Sequence, residues 1–337
     1  MDIKDKDILL SMEDLNFSFT TQRGIVKAVR ELSLYIKKGE TLTLVGESGC
    51  GKSVTAHAIN QLNPMPPGKV DSGKIFFNGV DLLTLKKPEI EALRGNQISM
   101  IFQEPMTALN PVFTVGSQIA DVFMTHQNMG KKEAMERAVD LFRLVKIPAP
   151  ERRINAYPHQ LSGGMGQRAM IAMALASPTP GLMIADEPTT ALDVTIQAQI
   201  LDLLQDLKQH IDMSILLITH DMGVVAEMAD RVVVMYAGRK VEEADVVSIF
   251  HNPYHPYTLG LLNSLPSNKK YKGAKRLEAI QGTVPDLLGI KEGCPFMNRC
   301  NYQTPECALS FPKETVIDEK HSVWCHNYEK VNRVRSM

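Results

Sequence analysis

A glycine-rich stretch near the start of the chain has the residue types and spacing of a phosphate-binding loop. Residues 46–53 read GESGCGKS and follow the short apolar run ETLTLV. Glycines let backbone N–H groups converge on phosphate oxygens, and the helix predicted after the loop adds its positive N-terminal end. The Lys52 ammonium is expected to reach the outer phosphates and the Ser53 hydroxyl to bind Mg²⁺. We therefore predict an ATP-binding loop made of Gly46, Glu47, Ser48, Gly49, Cys50, Gly51, Lys52 and Ser53.

Two acids at the end of a second apolar run complement this loop. The run LMIADE, residues 182–187, ends in Asp186 and Glu187. A carboxylate at Asp186 can hold Mg²⁺, directly or through water, and Glu187 can polarise the water that attacks a phosphate. Taken alone, the run would be interpreted as a strand that ends in two solvated acids. Combined with the phosphate loop, it predicts nucleotide hydrolysis.

Three further features gain meaning only in combination. His220 ends the apolar run LLITH, and Gln103 follows the run MIF; alone, each would be an ordinary structural or surface residue. The stretch LSGGMGQ, residues 161–167, places two glycines after Ser162 at the predicted start of a helix, which makes a second anion-binding end. One nucleotide needs only one phosphate loop, so this second end indicates a second nucleotide.

Strands that alternate with helices are predicted to position these residues. Short strands are expected over residues 8–45, a loop over 63–73, an Asn-Gly turn in KIFFNGVDL, mostly helix over 115–177, and a hairpin in RVVVMYAGRKVEE. This alternation favours an α/β domain with a largely parallel core sheet. The 337 residues are enough for one large domain with an appendage, and the composition shifts near residue 250 towards Pro, Gly, Asn and Cys.

Composition and charge argue against several classes of protein. The net charge is -1, with 37 Lys and Arg against 38 Asp and Glu, whereas nucleic-acid binders more often have a basic excess. No apolar run approaches the ~20 residues that a transmembrane helix needs. The charged first residues lack the apolar segment of a signal peptide. We expect a cytosolic chain that reaches a membrane only through partners.

Four of the five cysteines lie in the C-terminal tail. Cys294, Cys300, Cys307 and Cys325 are separated by five, six and seventeen residues, a looser spacing than most zinc fingers have. In a chain without an export signal, clustered thiols favour a metal site over disulfides, and free thiols, zinc and an iron–sulfur cluster all remain open. His321 and His326 nearby are expected to be solvated. Cys50 is either a small filler or a reactive thiol whose pKa is lowered by the loop N–H groups.

The order and spacing of these elements resemble those of the ATP-binding cassette (ABC) ATPases. GESGCGKS, Gln103, LSGGMGQ, LMIADEPTTALD and ITHD occur in the family's order over about residues 8–250. The resemblance implies that two cassettes pack head to tail, so that the LSGG helix of one faces the phosphate loop of the other. The cofactor contacts with the partner's ATP would then come from Ser162, Gly163 and Gly164. Residues 191–193, which include Asp193, would form the loop that crosses between cassettes.

The same resemblance implies roles for three further residues. Gln103 would ligate or sense Mg²⁺ and the membrane subunit, and His220 would contact the γ-phosphate. Phe19 would stack on adenine, with core packing as the alternative. One departure is Gly166, which stands where close relatives have Arg or Gln. Glycine inside a helix costs about 1 kcal/mol relative to alanine, so we expect ATP binding to survive with an altered geometry or rate.

The tail resembles that of the peptide and nickel importers. Residues 252–266, NPYHPYTLGLLNSLP, and the segment CPFMNRC make the chain look like the D-type ATPase of a dipeptide or oligopeptide importer. The implied fold is a RecA-like parallel-sheet core, an antiparallel β subdomain and a helical subdomain at about 105–177, all within 8–250, followed by a Cys-containing extension at 251–337. The implied tail cofactor is a [4Fe–4S] cluster, with Zn²⁺ as the alternative.

The resemblance also implies partners, location and alternatives. The partners would be a second, F-type ATPase subunit, two membrane permeases and, through them, an extracytoplasmic peptide-binding protein, with no nucleic acid. The chain would lie at the cytoplasmic face of the membrane. The alternatives are the same motor in a nickel or other small-solute importer, or a non-transport ABC ATPase. A phosphate-loop kinase would have no use for LSGG, and a binding-only regulator could dispense with Glu187.

Overall fold

The computed structural model describes residues 7–177, 181–190, 192–211, 213–265, 280–290 and 292–335. These residues divide into two compact units. The first unit comprises the chain up to Leu9, Ile36–Glu40 and Asp81–Ile218. The second comprises Leu10–Tyr35, Thr41–Val80 and the chain from Thr219 onward.

Strands and helices alternate along the described chain, as predicted. The strands are β1 (Ile8–Thr21), β2 (Gly24–Lys37), β3 (Thr41–Val45), β4 (Gly68–Phe77), β5 (Val80–Asp81), β6 (Ile98–Ile101), β7 (Leu182–Asp186), β8 (Ser214–Thr219), β9 (Arg231–Tyr236), β10 (Arg239–Asp245), β11 (Thr315–Asp318) and β12 (His321–Val323). The helices are α1 (Lys52–Ile59), α2 (Lys87–Leu93), α3 (Pro105–Ala108), α4 (Val115–Gln127), α5 (Lys131–Leu144), α6 (Pro150–Arg153), α7 (Gly163–Leu175), α8 (Val194–Ile211), α9 (Met222–Met228), α10 (Val246–His251), α11 (Pro256–Asn263), α12 (Glu306–Leu309) and α13 (Tyr328–Arg335).

The first unit combines parallel strands with most of the long helices. Strand β7 pairs in parallel with β6 on one side and with β8 on the other. Every residue of β7 and β8 is buried, which explains why both strands are continuous apolar runs in the sequence. Helices α4, α5 and α7 pack against one another, and α3 packs on α7. The predicted helical character of residues 115–177 is confirmed.

The second unit contains an antiparallel sheet and the strands that carry the tail. The antiparallel sheet has the order β2-β1-β4-β5. In a second set of paired strands, β3 pairs in parallel with β9, and β9 pairs with β10 in the predicted hairpin. Strand β12 continues beyond β10 and β11 beyond β12, both antiparallel. Strands β11 and β12 of the tail thus extend the set of strands that contains β3, β9 and β10. The domain boundary predicted at residue 250 stays a prediction.

Two predictions for the first eighty residues are wrong in detail. Strands β1 and β2 are not short, since each spans 14 residues. The loop predicted over 63–73 ends at Gly68, where β4 begins. Pairing with β1, in which Phe19 lies opposite Gly68, extends the strand through residues whose composition indicates a loop. Tertiary pairing therefore overrides the local turn signal. The Asn-Gly turn is confirmed, with φ of 49° at Asn78 and 80° at Gly79.

Candidate nucleotide and cysteine sites

The predicted phosphate loop connects β3 to α1 in the second unit. A side chain at Gly46 would place its Cβ 2.2 Å from the Met235 carbonyl oxygen. At Gly51, where φ is +101°, a Cβ would lie 2.4 Å from the Ala28 carbonyl oxygen. Gly49 has open space around it, but its φ of +80° also favours glycine. The loop therefore requires its glycines for backbone conformation and for close packing on neighbouring strands.

Lys52 begins α1 and turns back over the loop. Its Nζ donates to the carbonyl oxygens of Gly46 (2.7 Å) and Glu47 (3.1 Å), and its side chain is buried. The neighbouring Ser53 is half-buried, and Ser48 is exposed. An ammonium held by neutral carbonyls can exchange those contacts for phosphate oxygens, which carry a full negative charge. This arrangement suits a loop that binds a polyphosphate.

Cys50 is a buried filler of the loop. Its thiol is fully buried, and this burial raises its pKa despite the nearby Lys52 ammonium, which lowers it. Of the two interpretations of Cys50, its environment agrees with the small filler and not with the reactive thiol. A buried thiol with a raised pKa is unreactive because the thiolate is the nucleophile. The sulfur lies beside Gly46, where a Cβ would come within 2.8 Å of it.

The predicted acid pair lies at the carboxyl end of β7 in the first unit. Asp186 is the last residue of the strand and is buried, and Glu187 is half-buried. Glu187 has a φ of 45°, a left-handed conformation that non-glycine residues rarely adopt. Its backbone N–H donates to the Ile218 carbonyl at 2.9 Å, which holds the start of the turn against β8. Strained backbone of this kind is concentrated at functional sites.

Two side chains hold the Glu187 carboxylate. Gln103 Nε2 donates to Glu187 Oε2 at 3.0 Å, and Thr190 Oγ1 donates to the same oxygen at 2.9 Å. The structure thus brings together two of the predicted catalytic residues, Gln103 and Glu187. Thr190 was not predicted; the available signal was a hydroxyl three residues after an acid within a turn. Both donors are neutral, and together they fix the orientation of the carboxylate.

Two other predicted residues belong to the second unit. His220 follows β8 and is exposed. Phe19 lies in β1 and is half-buried, and its ring centroid is 5.1 Å from that of the buried Phe17. This ring contact is what the core-packing alternative for Phe19 expects. The roles of His220 and Phe19 towards a nucleotide stay predictions.

The LSGG stretch opens α7, as predicted. Ser162 is the N-cap residue, and its Oγ accepts from the Met165 N–H at 3.4 Å. At Gly164, a Cβ would lie 2.9 Å from Ile196 Cγ2, so the position is spatially restricted. Gly166 is buried, and its N–H donates to the Ser162 carbonyl at 2.8 Å. The first turn of the helix is therefore regular despite this glycine.

A cavity of about 570 Å³ lies at this helix start, wholly within the first unit. Its lining includes Ser162, Gly163 and Gly164 together with two cationic residues, Lys146 and Arg168. Arg168 is held in place by the Val145 carbonyl (2.7 Å) and by Gln199 Oε1 (2.9 Å), and burial lowers its pKa. N–H groups at a helix start combined with cations can accept an anion.

The loop after β7 leads into α8 beside this cavity. Asp193 also lines the cavity, and its Oδ1 accepts from the Ile196 N–H at 2.9 Å. The carboxylate therefore caps the start of α8. Of the three residues predicted to cross between cassettes, 191 lies outside the described residues. Contacts of Asp193 with a second cassette stay a prediction.

The four tail cysteines form one cluster in the second unit. All four are free thiols. Burial, together with the neighbouring cysteines, raises the pKa of Cys294 to about 11 and that of Cys325 to about 12. Burial and Cys307 also raise the pKa of Cys300. Direct contacts also join the segments that carry them: the Cys294 N–H donates to the Cys307 carbonyl at 2.7 Å, and Asn327, two residues after Cys325, contacts Cys307 Sγ.

Hydrogen bonds to sulfur accompany this clustering. Backbone N–H groups donate to Cys300 Sγ (from Tyr302, 3.3 Å) and to Cys325 Sγ (from Asn327, 3.4 Å). The Asn327 side chain donates to Cys307 Sγ at 3.6 Å. Donors of this kind stabilise metal-bound thiolates. Within the described ranges, however, no three His, Cys, Asp or Glu side chains are arranged as a metal site. These sulfurs have suitable donors, and the metal that they would hold stays a prediction.

His321, between the last two cysteines, is buried rather than solvated. Its Nε2 lies 2.8 Å from Glu242 Oε1, and the two side chains are 2% and 0% exposed. Glu242 also accepts from the N–H groups of Tyr254 (2.6 Å) and His255 (3.1 Å). The prediction of a solvated His321 is wrong because β12 pairs with β10 and brings this side chain onto Glu242. His326 is half-buried, with Nε2 3.2 Å from the Ser310 carbonyl.

Two tail residues that the sequence did not single out contact the phosphate loop. Arg299 makes a two-point ion pair with Glu47, with Nη1–Oε2 at 2.6 Å and Nη2–Oε1 at 3.0 Å. The Tyr257 hydroxyl accepts from the Glu47 N–H at 2.7 Å. No local sequence pattern connects positions this far apart in the chain, so only the tertiary structure reveals these contacts.

Comparison with known proteins defines the class. A family model for ABC transporters matches residues 29–190, and one for the C-terminal region of oligopeptide/dipeptide transporters matches residues 241–307. Among solved structures, a dimeric ATP-binding cassette in a post-hydrolysis state with ADP and Pi matches with a TM-score of 0.64 and 27% identity. That match covers 70% of this chain and 98% of the other. A cassette from an ABC transporter complex of Clostridium perfringens matches with a TM-score of 0.61 and 26% identity, covering 73% and 92%. Fold and motifs together define an ABC ATPase, an enzyme that hydrolyses ATP.

Sequence relatives narrow the class to one branch. An oligopeptide transport ATP-binding protein of Bacillus subtilis (strain 168) is 55% identical over 294 residues, covering 87% of this chain and 82% of its own. A dipeptide transport ATP-binding protein of the same organism is 50% identical over 317 residues, covering 94% of each. The chain belongs to the ABC transporter family, in its oligopeptide and dipeptide transport branch. No helix in the described part of the chain is both long and apolar enough to cross a membrane.

Proposed function

We propose that this chain is the ATP-hydrolysing motor of a dipeptide or oligopeptide importer. The observation that carries the proposal is that one chain combines the cassette with the C-terminal region of oligopeptide/dipeptide transporters. Relatives named as oligopeptide and dipeptide transport ATP-binding proteins align over most of this chain. The cassette supplies force, whereas the choice of peptide is made by the membrane channel and a binding protein.

The chain's own residues supply the hydrolytic chemistry in this proposal. The Lys52 ammonium and the loop N–H groups hold the outer phosphates. Glu187, oriented by Gln103 and Thr190, accepts a hydrogen bond from water and draws off its proton as the oxygen attacks the γ-phosphorus. The bond to the β-phosphate oxygen breaks, and ADP and phosphate result. His220 contacts the γ-phosphate and stabilises the charge that develops there.

Mg²⁺ would be held by the oxygen donors of Ser53, Asp186 and Gln103. The buried Asp186 carboxylate and the Ser53 hydroxyl are the hard donors that this ion prefers. Gln103 uses its Nε2 on Glu187, so its amide oxygen is the atom with ligand character. When bound, the ion offsets phosphate charge during hydrolysis.

The cavity at the start of α7 supports a second nucleotide presented by a partner. Ser162, Gly163 and Gly164 line it with N–H donors, and they would contact the partner's ATP. An ATPase of this family works with membrane permeases. We propose two permeases, a second cassette of F type that packs across Asp193, and an extracytoplasmic peptide-binding protein. The chain would then lie peripherally at the cytoplasmic face of the membrane.

We propose further that the cysteine cluster holds a [4Fe–4S] centre, with Zn²⁺ as the alternative. The support is four free thiols in the tail, of which Cys300, Cys307 and Cys325 accept N–H hydrogen bonds at sulfur. An iron–sulfur centre takes four thiolates, and a cation removes the mutual repulsion that opposes their ionisation. Its role would be structural or redox-sensing.

Metal analysis of chain purified without oxygen tests this centre. About four irons and four sulfides per chain, lost in Cys300→Ser but kept in Cys50→Ser, are expected. Zinc without sulfide would replace the proposal by its alternative. A purified chain that contains neither iron nor zinc would show that the four cysteines are free thiols and would overturn the proposed centre.

ATP hydrolysis by the reconstituted transporter tests the motor. Glu187→Gln should reduce turnover by roughly 10²-fold or more, because a general base contributes that much. Glu133→Gln, an exposed acid of α5 in the same unit, is the matched control and should leave turnover unchanged. Turnover that needs permeases and rises with peptide supports the proposal. Full turnover by the lone chain, or stimulation by nickel and not by peptides, would count against it.

A further inference from the structure

The contact between Arg299 and Glu47 connects the cysteine-bearing tail to the phosphate loop. Glu47 is the second residue of the loop, and Arg299 immediately precedes Cys300. The guanidinium grips both carboxylate oxygens of Glu47, at 2.6 Å and 3.0 Å. Two parallel N–H···O contacts fix the orientation of the carboxylate as well as its distance.

Arg299 is more strongly anchored than an ordinary surface arginine. Its side chain is 5% exposed, against 29% for Glu47. It also donates to the carbonyls of Gln281 (2.9 Å) and Ile280 (3.3 Å) and to the Tyr236 hydroxyl (3.2 Å). An arginine guanidinium is charged throughout the physiological pH range, so the contact with Glu47 is an ion pair. Because these other contacts fix the Arg299 guanidinium, it can in turn fix the position of the Glu47 carboxylate.

A second tail residue holds the same loop residue by its backbone. The Tyr257 hydroxyl accepts from the Glu47 N–H at 2.7 Å. The Tyr257 ring packs 4.7 Å from the Tyr236 ring and 5.4 Å from the Phe296 ring, centroid to centroid. Glu47 is therefore held at its side chain by Arg299 and at its peptide N–H by Tyr257.

The backbone between two cysteines positions Arg299. Residues Met297–Arg299 form a single 3₁₀ turn. The Met297 N–H donates to the Cys294 carbonyl at 3.1 Å, and the Cys300 N–H donates to the Met297 carbonyl at 3.1 Å. Anything that moves Cys294 relative to Cys300 therefore moves Arg299.

We propose that Arg299 is a positioning residue for nucleotide binding: it orders the phosphate loop through Glu47 and makes that order depend on the Cys294–Cys300 segment. A loop that is already ordered loses less conformational entropy when it binds a ligand, so its affinity is higher. The inference rests on the proposed assignment of residues 46–53 as the nucleotide loop. It adds the Cys294–Cys300 segment, which carries Arg299, to the parts of the chain that determine the affinity for ATP.

The test is a double-mutant cycle read as the Kd of a fluorescent ATP analogue. The full chain is compared with Arg299→Gln, Glu47→Gln and the double variant. Each single variant should weaken binding roughly three- to tenfold, the range expected for losing charge-assisted hydrogen bonds that act indirectly. The double variant should bind no worse than either single one, because residues that act as a unit are not additive. Arg299→Lys should recover only part of the affinity, since lysine lacks the planar fork.

Two control variants separate positioning from simple loss of stability. Arg231→Gln breaks another buried arginine–carboxylate pair of the second unit, with Glu243. It should lower the unfolding midpoint and leave the Kd unchanged. Lys52→Ala removes the proposed phosphate ligand and should weaken binding strongly.

The results for Arg299→Gln and Lys52→Ala test separately the role of Arg299 and the assignment of residues 46–53 as the nucleotide loop. An unchanged Kd in Arg299→Gln beside a weakened Lys52→Ala would overturn the role of Arg299 alone. Additive losses in the double variant would do the same, because Arg299 would then not act through Glu47. An unchanged Kd in Lys52→Ala would overturn the loop assignment and the inference with it.

Discussion

Replacing Gly166 by alanine should stabilise the chain. The position lies inside α7, where alanine is favoured over glycine by about 1 kcal/mol. An added Cβ would lie 3.3 Å from Met106 Sδ, and 3.7 Å and 3.8 Å from Pro105 Cβ and Cγ. The last two distances are ordinary contacts. Met106 is 40% exposed and flexible, so its sulfur can move by a few tenths of an ångström. We expect Gly166→Ala to raise the free energy of unfolding by roughly 0.5–1 kcal/mol.

Gly116→Ala is the matched control in the same unit. There the added Cβ would lie 2.4 Å from Ile154 Cγ1 and 2.5 Å from the Ile154 carbonyl oxygen. Backbone cannot give way as a methionine can, so this variant should lose roughly 1–3 kcal/mol. The measurement is urea unfolding of both variants beside wild type, with equal m-values required.

Activity of Gly166→Ala tests the expectation that this glycine alters the signature helix. The Gly166 N–H keeps its bond to the Ser162 carbonyl in either residue, so the N–H donors of Gly163 and Gly164 should stay in place. Turnover of the reconstituted transporter should change by less than about twofold. A lower free energy of unfolding in Gly166→Ala, or equal changes in Gly166→Ala and Gly116→Ala, would show that an added Cβ is not accommodated at Gly166. A large change in turnover with normal stability would show that the N–H donors of Gly163 and Gly164 do not stay in place.

Three further predictions concern acid stability, a helix cap and a buried carboxylate. Burial lowers the pKa of His255 from 6.5 to about 3, so the unfolded chain takes up the proton first. Stability is therefore fully present above pH 6.5 and falls towards pH 3 by about 1.4 kcal/mol per pH unit. His255→Asn keeps a capping acceptor and should remove this slope in urea unfolding at pH 7 and 5; an unchanged slope would contradict it. Ser162→Ala should cost about 1 kcal/mol by losing the cap of α7, seen as a lower unfolding midpoint, whereas Ser162→Asn should not. Glu242→Gln should cost roughly 3 kcal/mol because Glu242 is fully buried and contacts His321. Thermal unfolding that differs little from wild type would show that a neutral amide serves equally well.

Local patterns predicted the elements that carry the cassette motifs. Runs such as LMIADE and LLITH are strands because parallel strands buried on both faces need continuous apolar residues. The start of α7 was predictable because serine followed by two glycines is a cap signal that acts within one turn. The start of β4 was not, since pairing with β1 overrides a Pro- and Gly-rich composition. The contact between Thr190 and Glu187 could not be predicted from their spacing alone, because it also depends on the geometry of the turn.

The sequence by itself determined the class of this protein, because its motifs are short segments whose chemistry depends on neighbours a few positions away. Tertiary structure alone decided the environments of side chains whose partners are distant in the chain. Burial makes Cys50 an unreactive filler, pairing of β12 with β10 buries His321 on Glu242, and packing of the tail brings Arg299 to Glu47. The physical reason is that burial and electrostatic contact depend on distance in space, which a linear pattern does not record.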